Sequence, residues 1–248
     1  MGDGLEGFCP ALPEYSYAAL ARHNPPSPLA SRPSPLGILG GTFDPLHYGH
    51  LRLAQELAQG LGLREVCFIP AGQPPHRAQP LASPQQRLEM TRLGLAGNPL
   101  FSLDEREIIK QTPCYTVETL LDLRRELGAV QPLCLLMGAD AFLGLATWHR
   151  WRELLDLAHI VLAQRPGVAG IARAAATLPA ELRETLNRCL VHEPEALHDK
   201  PAGAIVIQPV TALDISASQI RQELAAGHSP RYLLPDAVLD YIQTNGLY

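Results

Sequence analysis

Gly40-Gly41-Thr42-Phe43-Asp44-Pro45-Leu46-His47-Tyr48-Gly49-His50-Leu51 is the stretch on which the reading of this chain turns. It overlaps the end of an apolar run, Leu36–Thr42, that reads as a short strand. It leads into a segment where Leu51, Ala54, Leu57, Ala58 and Leu61 recur at helical spacing before Gly62. Strand, glycine pair and helix start, in that order, make a turn at which backbone can approach a ligand closely. The amide groups at the helix end then face an anion. The pattern is neither GxGxxG nor GxxxxGK(S/T), so the dinucleotide fingerprint and the Walker loop both fail. Lysine is scarce in any case: Lys110 and Lys200 are the only two, and the other basic residues are arginines. The turn carries two imidazoles instead. His47 and His50 lie three apart and project from neighbouring positions of a helical first turn. Capping or core histidines, a zinc site and a phosphate site are all open readings of that pair. Zinc would need a third ligand, and no spaced carboxylate offers itself. Imidazole donors and a helix amino end both favour negative charge, so phosphate binding is the reading carried forward.

Outward from the turn, apolar runs alternate with helical patterns. Strands are expected at Glu65–Pro70, Phe101–Leu103, Leu133–Met137, His159–Gln164 and Ala204–Pro209. Helices are expected at Gln85–Leu95, at Thr116–Leu127 before Gly128, and at Trp151–Leu157. Unbroken apolar strands separated by helices predict an α/β fold, a doubly wound parallel sheet covered on both faces. Ligands of such a domain bind beyond the carboxyl ends of the strands. Residues 1–35 are different: seven prolines interrupt Ser, Ala and Arg without a sustained period. That composition buries too little apolar area to offset ordering entropy, so a disordered tail is expected there, with the folded domain spanning 36–248.

Composition narrows the function. The 248 residues carry 20 Lys and Arg against 25 Asp and Glu, a net charge of −5, which disfavours nucleic acid as a partner. There is no run of about 18 apolar residues for a membrane span, and no basic start followed by an apolar stretch, so a cytoplasmic protein is expected. The five cysteines are widely spaced and lack a CxxC pair, which argues against a disulfide framework or a Cys-rich zinc site. Cys67 and Cys134 sit in apolar runs and read as buried thiols.

A second motif, Ile215-Ser216-Ala217-Ser218-Gln219-Ile220-Arg221, has the Ser-x-x-Gln spacing of a capping box, so a helix is expected to start at Ser216. Its first amides, the Ser218 hydroxyl and Arg221 could converge on a phosphate. Together the two motifs resemble the GGTFDPxHxGHL and ISSTxIR signatures of the nucleotidyltransferase superfamily, with Ala217 and Ser218 as mild departures. The resemblance runs from about Leu36 to Tyr248. Four further segments resemble one branch, the bacterial nicotinate-nucleotide adenylyltransferases. These are Pro70-Ala71-Gly72-Gln73-Pro74-Pro75-His76-Arg77, Asp104-Glu105-Arg106-Glu107, Pro113-Cys114-Tyr115-Thr116-Val117-Glu118-Thr119-Leu120, and Gly138-Ala139-Asp140 with Trp148-His149. That family usually has Ser where Cys114 stands.

The resemblance implies a Rossmann-like fold and adenylyl transfer from ATP, carried with Mg²⁺, to nicotinate mononucleotide. It implies catalytic roles for His47, His50 and Arg221, and an ATP site at Gly40, Gly41, Thr42, Phe43, Ser216, Ser218 and Arg165. It also implies a nicotinate mononucleotide site at Thr116, Val117, Gly138, Asp140, Trp148 and His149. In that site Trp148 would stack on the pyridine ring, and amides near Thr116, Val117 and His149 would receive its carboxylate, as N–H donors suit a carboxylate better than a carboxamide. Trp151 reads as core. No protein metal ligands are implied, and the oligomeric state is not legible. The rival readings are another phosphorylated acceptor (nicotinamide mononucleotide or phosphopantetheine) and a non-catalytic nucleotide-binding domain.

Overall fold

A computed structural model describes residues 33–73, 79–110, 112–164, 177–211 and 213–248. Seven strands make one sheet in the order β3-β2-β1-β4-β5-β7-β6, with every neighbouring pair parallel. They are β1 Leu36–Gly41, β2 Glu65–Pro70, β3 Phe101–Leu103, β4 Leu133–Gly138, β5 His159–Gln164, β6 Leu190–Val191 and β7 Ile205–Pro209. The helices are α1 Tyr48–Leu61, α2 Pro84–Leu95, α3 Arg106–Ile109, α4 Thr116–Leu127, α5 Ala139–Leu143, α6 Leu154–Leu157, α7 Ala180–Cys189, α8 Ala196–Asp199, α9 Ala217–Ala225 and α10 Asp236–Thr244.

The period-2 alternation of each central strand feeds two separate cores. Leu36, Ile38, Cys67, Ile69, Leu133, Leu135, Ile160 and Leu162 pack on one face with Val117, Leu120 and Leu123 of α4. Their sequence neighbours Leu39, Val66, Phe68, Cys134, Leu136, Val161 and Ala163 pack on the other, with Ala54, Leu57, Ala58 and Leu61 of α1. Burial of both faces is why the strands read as unbroken apolar runs. Trp151 lies in the first core, as its sequence context suggested. A third cluster joins α2, α9 and α10 through Met90, Ile220, Val238, Leu239 and Ile242.

Strand order reverses between β1 and β4, which are hydrogen-bonded neighbours from Leu36–Leu133 to Ile38–Leu135. At such a reversal the outgoing connections leave to opposite faces and open a crevice past the strand ends. Here those ends are Gly41 and Gly138, both in segments that the sequence marked for ligands.

The boundaries expected from sequence lie within one residue of those observed for β1, β2, β3, α2, α4, β4, β5 and β7. Trp151–Leu157 is not one helix. A 3₁₀ turn spans Trp151–Glu153 behind Arg150, which has φ 51°, and α6 follows. The helices α3, α5 and α8 have four or five residues, too few to show a period. Those of α7 and α10 do show one, with Leu182, Thr185 and Leu186, and Val238, Leu239 and Ile242, on their buried faces.

One buried polar group secures the amino ends of the strands. His159 is fully buried at the start of β5. Its Nδ1 accepts from the Ala204 amide at 3.0 Å, so Nε2 carries the proton and donates to the Lys200 carbonyl at 2.8 Å. Burial holds its pKa below the ordinary 6.5. Because the folded value is depressed, the unfolded chain takes up the proton first. This contribution is complete above the ordinary value and declines as pH falls below it. Urea unfolding at about pH 7.5 and about pH 5.5 should therefore show a steeper acid loss in the parent than in His159→Gln. Parallel losses would remove His159 as the cause.

Candidate active site

The turn after β1 is set by packing around Phe43. This residue is buried, has φ 49° in the left-handed region, and meets Phe68 at 5.8 Å and the His50 ring edge-on at 5.0 Å. A Cβ at Gly41 would lie 2.6 Å from the Phe43 ring, so no side chain fits there, while the space beside Gly40 is open. His47 is the N-cap residue of α1 and His50 sits three residues on. Their rings stack at 3.8 Å and 27°, and the His47 amide donates to His50 Nδ1 over a long 3.4 Å. That bond leaves Nε2 of a neutral His50 as the protonated nitrogen, the one able to donate to a phosphate oxygen. Capping and phosphate binding are thus compatible roles for one pair.

Asp44 works inward. Its buried carboxylate accepts from the amides of Leu81 at 2.9 Å and Ala82 at 3.2 Å, and from the Tyr248 hydroxyl. Burial, together with the Asp44 charge, holds the Tyr248 phenol well above its ordinary pKa, so it remains the donor. Opposite Asp44, Arg87 of α2 is fully buried. Its Nη1 donates to the Thr42 carbonyl at 2.8 Å and Nη2 to the Gly72 carbonyl at 2.9 Å.

The second motif meets the first. Ser216 caps α9 by accepting from the Gln219 amide at 3.1 Å, as its spacing predicted. Arg221 Nη1 donates to the Asp44 carbonyl at 2.6 Å, and Nη2 to Ser218 Oγ at 3.3 Å. A Cβ on Gly49 would stand 2.9 Å from the His47 ring and 3.4 Å from the Ile215 carbonyl, so α1 starts directly against the strand-to-α9 connection. Arg221 was expected on a phosphate; here it ties α9 to the turn, with its side chain one-quarter exposed.

Across the sheet reversal, the acceptor residues form a second group. α4 begins at Thr116 with no side-chain cap from Tyr115, whose carbonyl takes the Glu118 amide at 2.9 Å, so the Thr116 and Val117 amides stand at the open end of the helix. The ring of Tyr115, which precedes them, lies 4.4 Å from that of His149, bringing Thr116 and Val117 together with the Trp148-His149 turn. Trp148 is half-buried against the α4-side core. Gly138 caps α5 and is open on its Cβ side, and Asp140 is exposed in the first turn. Beneath them Glu107, whose carboxyl burial pushes up, accepts from Thr119 Oγ1 at 2.6 Å. The Glu107 carbonyl leaves room only for glycine at 72 and receives Cys114 Sγ at 3.4 Å. His76, Arg77 and Arg165 lie outside the described residues.

The cytidylyltransferase-like family matches residues 38–223. A probable nicotinate-nucleotide adenylyltransferase of Dechloromonas aromatica is 55% identical over 214 residues, covering 86% of this chain and 97% of its own length. One from Halorhodospira halophila is 50% identical over 213 residues, covering 86% and 94%. The chain belongs to the nicotinate-nucleotide adenylyltransferase family. In fold it resembles a Plasmodium falciparum nicotinic acid mononucleotide adenylyltransferase complexed with NaAD, at TM-score 0.64 and 16% identity over 87% of this chain and 97% of that one.

Sequence reading overlooked Arg87 and Tyr248. The first had a signal: Arg87 shares a buried helical stripe with Met90 and Thr91, where a cation needs a reason. Tyr248 had none, since its partner lies 204 residues away. Tyr248→Phe removes one hydrogen bond to a charged group and should lower stability by about 1.5–3 kcal/mol. Urea denaturation of the two proteins checks this; an unchanged midpoint would mean that the carboxylate is held by the amides alone.

Proposed function

We propose that this protein transfers the adenylyl group of ATP to nicotinate mononucleotide, forming nicotinate adenine dinucleotide and releasing pyrophosphate, a step in making NAD. The observation that carries the reading is the meeting of both phosphate motifs at the sheet reversal, where Arg221 reaches the Asp44 carbonyl at 2.6 Å. Membership of the family, with 55% identity across nearly the whole of one relative, supports the choice of acceptor.

The acceptor's phosphate monoester has a second pKa of about 6, so it is largely ionised at neutral pH and needs no general base. One of its oxygens attacks the α-phosphorus of ATP in line. A new P–O bond forms, the α–β bridging bond breaks, and the electron pair leaves on pyrophosphate, whose charge Mg²⁺ entering with the nucleotide neutralises. Catalysis reduces to holding two anions in line and stabilising the charge that builds on the α-phosphoryl oxygens. His47 contacts the α-phosphate in this reading, and His50 binds the phosphates beside it. The amides of Gly41–Phe43 and the start of α9, with Ser216, Ser218 and Arg221, hold the remaining charge, joined by Arg165 after β5. Gly40 leaves the approach open.

At the acceptor end, Trp148 stacks on the pyridine ring. The Thr116, Val117 and His149 amides take the carboxylate, and Gly138 with Asp140 receives the ribose. The N–H donors and helix dipole at α4 favour a carboxylate over a neutral carboxamide. Cys67, Cys114, Cys134 and Cys189 are free thiols, which suits a reducing cytoplasm. No described helix is long and apolar enough to cross a membrane.

Pyrophosphate release from ATP should be fastest with nicotinate mononucleotide and slower with nicotinamide mononucleotide and phosphopantetheine; preference for the amide would reverse the choice of acceptor. Single-turnover product formation excludes a merely nucleotide-binding domain. His47→Ala and His50→Ala should each lower kcat by about 10²–10³, the cost of one oxyanion donor. Near-normal turnover by both would reject their assignment.

A further inference from the structure

The phosphate turn has no regular secondary structure of its own, yet its peptide planes must be held in one orientation if its amides are to meet an anion. In a trans peptide the carbonyl and the following N–H point in opposite directions, so whatever grips a carbonyl also aims the next amide. The Gly41 carbonyl accepts from the Ala71 amide at 2.8 Å, which fixes the Thr42 N–H. The Thr42 carbonyl accepts from Arg87 Nη1 at 2.8 Å, which fixes the Phe43 N–H. The second arm of the same guanidinium holds the Gly72 carbonyl at 2.9 Å, one residue beyond Ala71. Turn, β2 end and α2 are thereby closed into a ring.

Stability alone does not account for this arginine. It is fully buried, the Asp44 carboxylate opposite acts on it only through space, its hydrogen bonds are to neutral carbonyls, and its Nε has no hydrogen-bond partner among the described residues. A buried cation held in that way, even with a carboxylate nearby, gains no stability over an apolar side chain at the same place. The planar fork does what an apolar residue cannot: it reaches two carbonyls of different segments at a fixed separation.

We propose that Arg87 is a positioning residue of the reaction, aiming the Phe43 amide at the phosphates of ATP through its grip on the Thr42 carbonyl. The idea rests on the functional reading above. It deepens that reading by assigning part of the anion site to a side chain that never touches the nucleotide.

Two experiments test it. In the unaltered protein, titration with MgATP alone, followed by ¹⁵N–¹H correlation spectra, should shift the Thr42 and Phe43 amides with one saturation curve. Unmoved amides at saturation would overturn the proposal, whatever the variants do. In the second, Arg87→Met and Arg87→Lys, each confirmed folded by near-ultraviolet circular dichroism at the assay temperature, are compared in steady state. Arg87→Met should lose roughly 10² in kcat, the scale of a small misplacement of reacting groups, with the acceptor KM little changed. Arg87→Lys, able to grip one carbonyl, should fall between Met and the parent. Lower thermal stability with kcat near the parental value would make Arg87 purely structural and sink the proposal, as would a loss expressed equally in the acceptor KM. If the parent responds to ATP in the spectra but releases pyrophosphate with no acceptor, the functional reading fails by itself.

Discussion

A loop that offers its N–H groups to a polyanion cannot also use them to hold itself together, so its carbonyls and side chains must be tied from outside. That constraint organises this protein. The Gly41, Thr42 and Asp44 carbonyls are taken by Ala71, Arg87 and Arg221, which come from three different segments. The Asp44 side chain is taken by residues 81 and 82 and by Tyr248. Phe43 is buried at the turn, against Phe68 and the His50 ring. In such low-dielectric surroundings, the amides of the turn would bind an anion more strongly than the same amides in water, as the proposed function requires.

The same constraint explains why the chain surrounding the motifs folds as it does. α2 carries Arg87, and its start is fixed by Ser83, which accepts from the Gln86 amide at 3.2 Å while the Ser83 amide donates to Gln86 Oε1 at 2.8 Å. The residues before that cap are the ones whose amides bind Asp44. α10 packs on α2 through Met90 and Val238 and brings Tyr248 to the same carboxylate. Elements with no contact to the reacting groups therefore still set where those groups stand.

Much of this was legible in the sequence, because strands buried on both faces and helices with capped ends leave local marks. The β2 and β3 ranges, the start of α9 at Ser216 and the α4 boundary before Gly128 could all be read directly. The two phosphate motifs could be recognised, but not the bond that joins them, since Arg221 and Asp44 are 177 residues apart. Short helices such as α3 and α5 were illegible because their form comes from tertiary packing and not from any period. Arg87 was overlooked for a different reason: on a helix an arginine is ordinarily a solvated residue, and only its place among Met90 and Thr91 marks it as an inward one.

The chain's overall charge of −5 opposes the approach of two phosphate-bearing substrates, and this opposition decides how the site must work. Long-range attraction cannot gather the substrates, since beyond about 8–10 Å solution ions screen it and the net sign is wrong. Recognition must come from donors in contact. In the proposed site, imidazole N–H groups, turn amides and the amino ends of α1, α4 and α9 would act over hydrogen-bond distances, where a helix terminus counts for its own partial charge and the protein's total matters little. Such donors are worth most when they need not reorient as charge develops. The proposed chemistry, which uses no protein acid or base, demands a rigid frame around the turn, and in this protein buried Arg87 and Asp44 grip backbone around it.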